Sequence, residues 1–583
     1  MAAANGFLEY PDLIGAGVNV DSRARELFGS DTVRIEKPES MGLIRMIDDV
    51  FRDYRDQSDY DSKNAAKGCA MSSLLNFDYD PERIKDKQLT HKYFYDNDEL
   101  REYIGQKEIP KLNMPYGAPY QQFRNKELYI EWMRGLNEKL VNPTSPTLIK
   151  LKSFLKETLE GRIPELEKQV SEVRNHSVLL KISRDSSPSG DGSESDLIYN
   201  LSAQNPEGIT LELNEYFPKG FGNKFADGIF SDTFRTIAGE ADSLEIRLDK
   251  LEDFSFSIIV NSQNEKERVE SVDVSDADFS GYELKMIIIA SLESKLNDDR
   301  SEEERGKYIS LSSNFITFLW ELKYLMQMGN YFHRLEREGY NLVIPEILPM
   351  EDNLMSVGDA YSFNLIRNMP KRKIVANDIE IGKDGKHIYL ITGPNYNSKT
   401  SFVNMVTCFQ AAFQDGWYLP CSRARISPKR GMKSFFPEVT SEDDAESRFS
   451  WEGVRSREIF RDLEDFVIVP LDEPFTSAPN VKTSKHLHGV VRDVMSRTPN
   501  VTYIITSHEH SLIDVVDDLT GGQNLKADCY VNEDGKIKLL RKVVPGSSRI
   551  MNSDGLLEEI GADPESLIGY IEEGAREGRL TFR

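Results

Sequence analysis

Three short apolar runs in the C-terminal half limit most strongly what this chain can fold into: "HIYLIT" (387–392), "FVIVPL" (466–471) and "VTYIIT" (501–506). Each is rich in β-branched or aromatic residues and meets a polar turn at its carboxyl end, with helical segments between them. Strands alternating with helices predict an α/β parallel sheet, and such sheets bind ligands at the carboxyl ends of their strands. The turns that follow the three runs are therefore where chemistry is expected.

The first turn reads Gly393, Pro394, Asn395, Tyr396, Asn397, Ser398, Lys399, Thr400. It fills the phosphate-loop frame G-x-x-x-x-G-K-[ST] except that Ser398 stands where a glycine is expected. Such a loop turns backbone N–H groups onto phosphate oxygens and sends a lysine to the β- and γ-phosphates. Its hydroxyl meets Mg²⁺ at the start of a helix whose dipole favours anions. Lys399 and Thr400 keep the charged and metal-binding parts. Asn397 and Ser398 replace residues valued for conformational freedom, and serine adopts left-handed geometry poorly. The second run ends in Asp472-Glu473, as a Walker B strand does, with Asp472 suited to bind Mg²⁺ and Glu473 to position the attacking water. The third is followed by His508, placed to contact a γ-phosphate or order the water. A single such feature arises easily by chance, whereas the order loop, acid pair, histidine is more specific.

At 583 residues the chain is too long for one core and predicts three or four domains. No run of about 18 apolar residues is present, so no membrane partner is expected. The N-terminus has neither a basic nor a long apolar region, and Cys69, Cys408, Cys421 and Cys529 lie far apart, which together predict a cytoplasmic protein with reduced thiols. A net charge of −25 argues against non-specific nucleic-acid binding by the whole surface. Between Ile104 and Arg184, however, 14 Lys/Arg stand against 9 Asp/Glu, a local excess of 5 that is either a solvated helical face or a contact for phosphates. Ser145-Pro146 predicts a helix start, and "ISLSSNFITFLWELKYLMQMGNYFHRLEREGY" (309–340) predicts a helix of about 45 Å, long enough for a lever.

The blocks "IVANDIEI", "ITGPNYNSKTSF", "GWYLPCSRARI", "ESRFSWEGVRSREIF", "LDEP" and "ITSHEHSL" resemble, in order and spacing, the ATPase domain of the MutS family. The helix ending "HRLEREGYNLVIPEI" is similar to the segment that leads into that domain. The resemblance is strong over about 345–530 and fades before 140. It implies an ABC-type P-loop α/β ATPase domain at the C-terminal end, preceded by a mainly α-helical core or lever domain. The implied division is 1–140 of uncertain role, 141–345 helical core and lever, 346–545 ATPase, and 546–583 a helical tail. It implies ATP and Mg²⁺ as cofactors, held by Asn377, Gly393, Pro394, Asn395, Asn397, Ser398, Lys399 and Thr400, with Thr400 and Asp472 on the metal. Asp378 lies in the matching segment before the loop. Glu473 and His508 are the implied catalytic residues. Ser447 falls where the family has a short signature that faces the nucleotide of a second subunit, so a homodimer is expected.

The sequence departs from the family at Asn397-Ser398, at "PFTSAPN" after the acid pair, and at Pro470, which removes a donor from the Walker B strand. No mismatch-reading domain with its Phe-x-Glu wedge is recognisable, so mismatch recognition does not follow. The resemblance implies a nucleotide-controlled dimeric clamp on duplex or branched DNA in repair or recombination, reading DNA shape, with a repair protein as a further expected partner. The alternative is a nucleotide-gated protein-interaction module with weak or absent ATPase activity. An ATPase of the SMC kind is disfavoured by the lack of long heptads.

Overall fold

The computed structural model describes residues 42–52, 60–76, 78–107, 118–184, 197–214, 243–248, 255–262, 265–273, 279–298, 311–394, 398–436, 445–475, 480–532 and 537–548, with a few positions between 568 and 576. The architecture is mixed α/β with several sheets. It divides into two compact units. One holds Gln106–Pro143 and Ile149–Leu319; the other holds the described residues up to Gly105, Thr144–Leu148, and Trp320 onward.

The first unit contains a six-stranded antiparallel sheet, ordered β3-β2-β1-β4-β5-β6. Its strands are β1 (Ser177–Arg184), β2 (Leu197–Gln204), β3 (Thr210–Glu212), β4 (Ser243–Leu248), β5 (Ser255–Ser262) and β6 (Glu265–Asp273). The expectation of a mainly helical domain over 141–345 is corrected here. "SVLLKIS" alternates with period two: Val178 and Leu180 are buried and Lys181 is exposed, opposite the buried Ala203 and Leu201 of β2. Helices Ala118–Lys139, Ile163–Arg174 and Phe279–Asp298 belong to the same unit, and a buried Lys126–Glu293 ion pair joins the first to the last. About half of the cations of this region are paired, mostly with acids of the same region, so the excess of 5 stands while many of its members are engaged. Lys107 pairs with Glu131, Arg134 with Glu167, Lys156 with Glu160, Lys168 with Glu172, and both Arg124 and Arg174 with Glu127.

The helix Pro146–Gly161 begins as the sequence predicts, with Ser145 Oγ accepting the Leu148 N–H at 3.0 Å. The long helix runs Leu311–Arg337, 27 residues and about 40 Å. The boundary between the units falls within it, at Leu319 and Trp320.

The second unit is built on a sheet ordered β14-β15-β16-β11-β17-β18, parallel except for the last strand. These are β11 (Ile388–Thr392), β14 (Gly431–Met432), β15 (Val467–Asp472), β16 (Thr502–Thr506), β17 (Gly522–Val531) and β18 (Ile537–Pro545). The three apolar runs are its central strands, and every residue of β11, β15 and β16 is buried, as in a parallel sheet covered on both faces. Ile388, Leu390, Val469 and Ile505 pack with Leu487, Val491, Leu512 and Val516 of the covering helices. A second sheet, β10-β9-β13-β8, lies in the same unit, made of β8 (Glu346–Ile347), β9 (Met355–Ala360), β10 (Asn377–Ile381) and β13 (Arg423–Ile426), and β7 (Leu342–Val343) pairs with β12 (Leu419–Pro420).

Pro470 sits in β15 without breaking the sheet. Its carbonyl accepts from Phe435 N at 2.9 Å, Asp472 N donates to Phe435 O at 2.8 Å, and Glu473 N donates to Thr506 O at 3.1 Å. Because successive N–H groups point to opposite sides, the donor that Pro470 lacks would face Phe435 and the short edge strand, not β16.

Helices Tyr60–Asn76 and Pro81–Asp96 belong to this second unit. They meet it at Asp415, which follows the helix Lys399–Gln414 and is 1% exposed. Its carboxylate accepts from Ser73 Oγ, Lys87 Nζ at 3.3 Å, Tyr324 OH at 2.9 Å and Trp417 Nε1 at 2.8 Å. The next residue, Gly416, has φ 78°, and a Cβ there would lie 2.6 Å from Gln88 N, so only glycine fits.

Candidate functional site

The carboxyl tips of β11, β15 and β16 converge as the sequence predicts. Gly393 leaves β11 with φ 132°, and a Cβ on it would meet Ala527 Cβ at 3.0 Å. Ser398 takes φ 65° and ψ 10°, the left-handed turn a glycine would supply, and its carbonyl accepts from Phe402 N at 2.8 Å to start the helix Lys399–Gln414. The turn is thus kept despite the substitution, at a strain of about 1 kcal/mol. Asn395 and Asn397 lie outside the described residues.

Lys399 begins the helix and is 5% exposed. Its Nζ donates to Gly393 O at 3.0 Å and Pro394 O at 3.2 Å, and stands 3.5 Å from His508 Nε2. Burial lowers its pKa, against the pull of Glu473 and Asp472. Thr400 Oγ1 donates to both oxygens of Asp472, at 3.1 and 3.0 Å. Thr506 Oγ1 donates to Asp472 Oδ1 at 2.6 Å. Burial raises the Asp472 pKa, and these two hydroxyls oppose it. Glu473 has φ 47°, and its carboxylate lies 2.9 Å from His508 Nε2, a hydrogen bond that holds its pKa below the usual carboxylate range. Lysine, hydroxyl, paired acids and histidine, drawn from three strand ends, thus form one connected polar cluster.

A pocket of about 750 Å³ opens beside the cluster, a size that suits a nucleotide. Ser398, Lys399, Thr400 and Glu473 line it together with apolar Leu365, Met369, Ile374, Val375 and Phe402. Asn377 also lines it, but its side chain is committed to β18: Oδ1 accepts from Val543 N at 2.7 Å and Nδ2 donates to Arg541 O at 3.3 Å. It therefore shapes the wall. Asp378 is exposed, accepting from Asp359 N at 3.0 Å and facing Lys542 at 3.7 Å. Ser447 lies in the helix Ala445–Arg461, and its side chain is outside the description. Thr506 escaped the sequence reading. Its only sequence signal is a hydroxyl residue at a strand end, two positions before His508.

No protein-family model matches the chain. Proteins named DNA mismatch repair protein MutS do. The protein of Ruegeria sp. (strain TM1040) is 29% identical over 232 residues, 36% of this chain and 25% of its own length. That of Brevibacillus brevis (strain 47 / JCM 6285 / NBRC 100599) is 24% identical over 207 residues, 35% of this chain and 23% of its own length. The chain is related to the MutS family. Roseobacter denitrificans (strain ATCC 33942 / OCh 114) has a further MutS protein, 26% identical over 237 residues, 37% of this chain and 26% of its own length. The chain spans about a quarter of the length of the MutS relatives it matches. No described helix of this MutS-like chain is long and apolar enough to cross a membrane.

Proposed function

We propose that this MutS-like chain binds and hydrolyses Mg·ATP at the cluster and uses nucleotide to control a dimeric clamp on DNA. The observation that carries the reading is the meeting of Lys399, Thr400–Asp472 and Glu473–His508 at three adjacent strand tips beside one nucleotide-sized pocket. The name shared by the relatives, DNA mismatch repair protein MutS, supports the DNA side of the reading.

The donor set fits a magnesium triphosphate. Mg²⁺ takes one or two protein oxygens and fills its other positions from phosphate and water, and Thr400 Oγ1 and Asp472 stand together to supply the protein's share. When bound, the ion would neutralise charge on the β- and γ-phosphate oxygens. Lys399, already buried at a helix start, would turn from the Gly393 and Pro394 carbonyls onto phosphate oxygens. Glu473 would hold the attacking water and take its proton as the water oxygen bonds to the γ-phosphorus and the bond to the β-phosphate oxygen breaks. His508 would orient Glu473 through their hydrogen bond. Ser447 would complete the site of a second copy, making ATP binding and dimer closure one linked equilibrium.

The test is ATP hydrolysis and Mg·ATP calorimetry on the intact chain beside Lys399→Ala and Glu473→Gln. Lys399→Ala is expected to weaken binding at least tenfold, and Glu473→Gln to abolish turnover while trapping an ATP-bound dimer. Calorimetry showing no binding of Mg·ATP by folded wild type would sink the reading.

The local matching of cations in the first unit favours a second reading, a nucleotide-gated module that binds protein rather than DNA. A salt titration on branched and plain duplex DNA separates the two, since phosphate contacts weaken steeply with salt. No binding at low salt would leave the protein-binding module.

A further inference from the structure

Thr506 ends β16 and is completely buried. Its hydroxyl does two things at once. It donates to Asp472 Oδ1 at 2.6 Å, and it accepts from the backbone N–H of Glu473 at 2.9 Å. One hydroxyl has one proton and two lone pairs, so both bonds coexist. The Thr506 carbonyl accepts the same Glu473 N–H at 3.1 Å. Glu473 needs such a hold: φ 47° on a side-chain-bearing residue costs on the order of 1 kcal/mol or more and persists only where surrounding contacts fix it. Asp472 has a second donor, Thr400, but that residue belongs to the start of the loop helix and faces the pocket. Among the described residues Glu473 and Thr400 line the pocket and Thr506 does not, so its hydroxyl bears on that space through the acids it holds.

We propose that Thr506 is a positioning residue for the ATPase reaction, aiming the metal-side carboxylate of Asp472 and the water-side carboxylate of Glu473 together through one hydroxyl. The inference rests on the ATPase reading above and adds a residue to it. A structural threonine would fill space at a strand end with any small β-branched side chain. The double bond to consecutive acids in different roles is what sets Thr506 apart.

The test compares Thr506→Val, which keeps the shape and removes the hydroxyl, with Thr506→Ser, which keeps the hydroxyl. Three quantities are read on the intact chain: amide hydrogen exchange of the segment 466–475 without nucleotide, ATP affinity with Mg²⁺ and with EDTA, and kcat beside KM. In the valine variant the exchange of this segment is expected to rise about tenfold, as for a lost hydrogen bond of ordinary strength. Its kcat is expected to fall at least 30-fold, with KM and EDTA-state affinity within threefold, while serine stays within threefold of wild type throughout. A valine variant with wild-type kcat and exchange overturns the proposal, and so do valine and serine variants equally impaired, which would mean packing alone. If wild type binds no Mg·ATP, the ATPase reading falls separately. The exchange comparison then decides alone: faster exchange in valine but not serine upholds the hold on Glu473, and equal exchange removes it.

Discussion

His508 Nε2 stands 2.9 Å from Glu473 Oε1, and the same nitrogen is 3.5 Å from Lys399 Nζ. One imidazole thus touches both the acid proposed to hold the water and the cation proposed to hold the phosphates. Its hydrogen bond is the main reason the Glu473 carboxyl ionises below its usual range. His508→Ala should therefore move the acid limb of the kcat–pH profile to higher pH, because Glu473 then protonates sooner. It should also cost on the order of 100-fold in kcat. ATP affinity within a few-fold of wild type is expected; a large loss of affinity with kcat intact would reverse the assignment.

Ser398 holds a left-handed turn that glycine would hold without strain. Ser398→Gly is expected to raise unfolding free energy by about 1 kcal/mol and to leave ATP affinity equal or better. Urea denaturation and calorimetry check it. A destabilised glycine variant would mean that the serine side chain supports the loop in a way its lack of a capping bond does not suggest.

Asp415, just past the helix Lys399–Gln414, and Lys87, within the helix Pro81–Asp96, form a buried ion pair in the second unit. Removing one partner of such a pair strands the other in a low-dielectric site, so Asp415→Ala should cost about 3–5 kcal/mol in denaturant unfolding. The double variant with Lys87→Met should recover part of that loss. A single-variant cost below about 1 kcal/mol would refute the network's structural weight.

His91 is fully buried beside Asp415, with its ring edge-on to Tyr324 and Phe332 at 6.0 and 6.3 Å. Burial lowers its pKa from 6.5 to about 4. The unfolded chain therefore binds a proton in this window that the folded one refuses. The contribution is complete above about pH 6.5 and disappears as pH falls through about 4, roughly 3 kcal/mol over the window. His91→Phe should flatten stability against pH between 4 and 6.5. An unchanged slope would show that another group carries the effect.

The parallel sheet was legible because its central strands are apolar on both faces, which makes "HIYLIT", "FVIVPL" and "VTYIIT" stand out. Lys399, Thr400, Asp472, Glu473 and His508 were legible as a group because each stands at the carboxyl end of a strand or in the turn that follows it. The antiparallel sheet over 177–273 was hidden: its strands carry polar residues on one face, and the neighbouring helices drew attention to a period of 3.6. Thr506 and Asp415 were hidden for a different reason. Their partners are set by tertiary geometry, and Asp415 gathers residues 73, 87, 324 and 417, whose closeness no local pattern encodes.

The Asp415 network also governs how the protein can be dissected. A fragment starting after Gly105 would keep the Gly393–Thr400 turn but delete the ammonium and hydroxyl that Lys87 and Ser73 offer to that carboxylate. Shortened versions intended to isolate nucleotide chemistry must carry residues 60–96 along, or be redesigned with an apolar residue at 415.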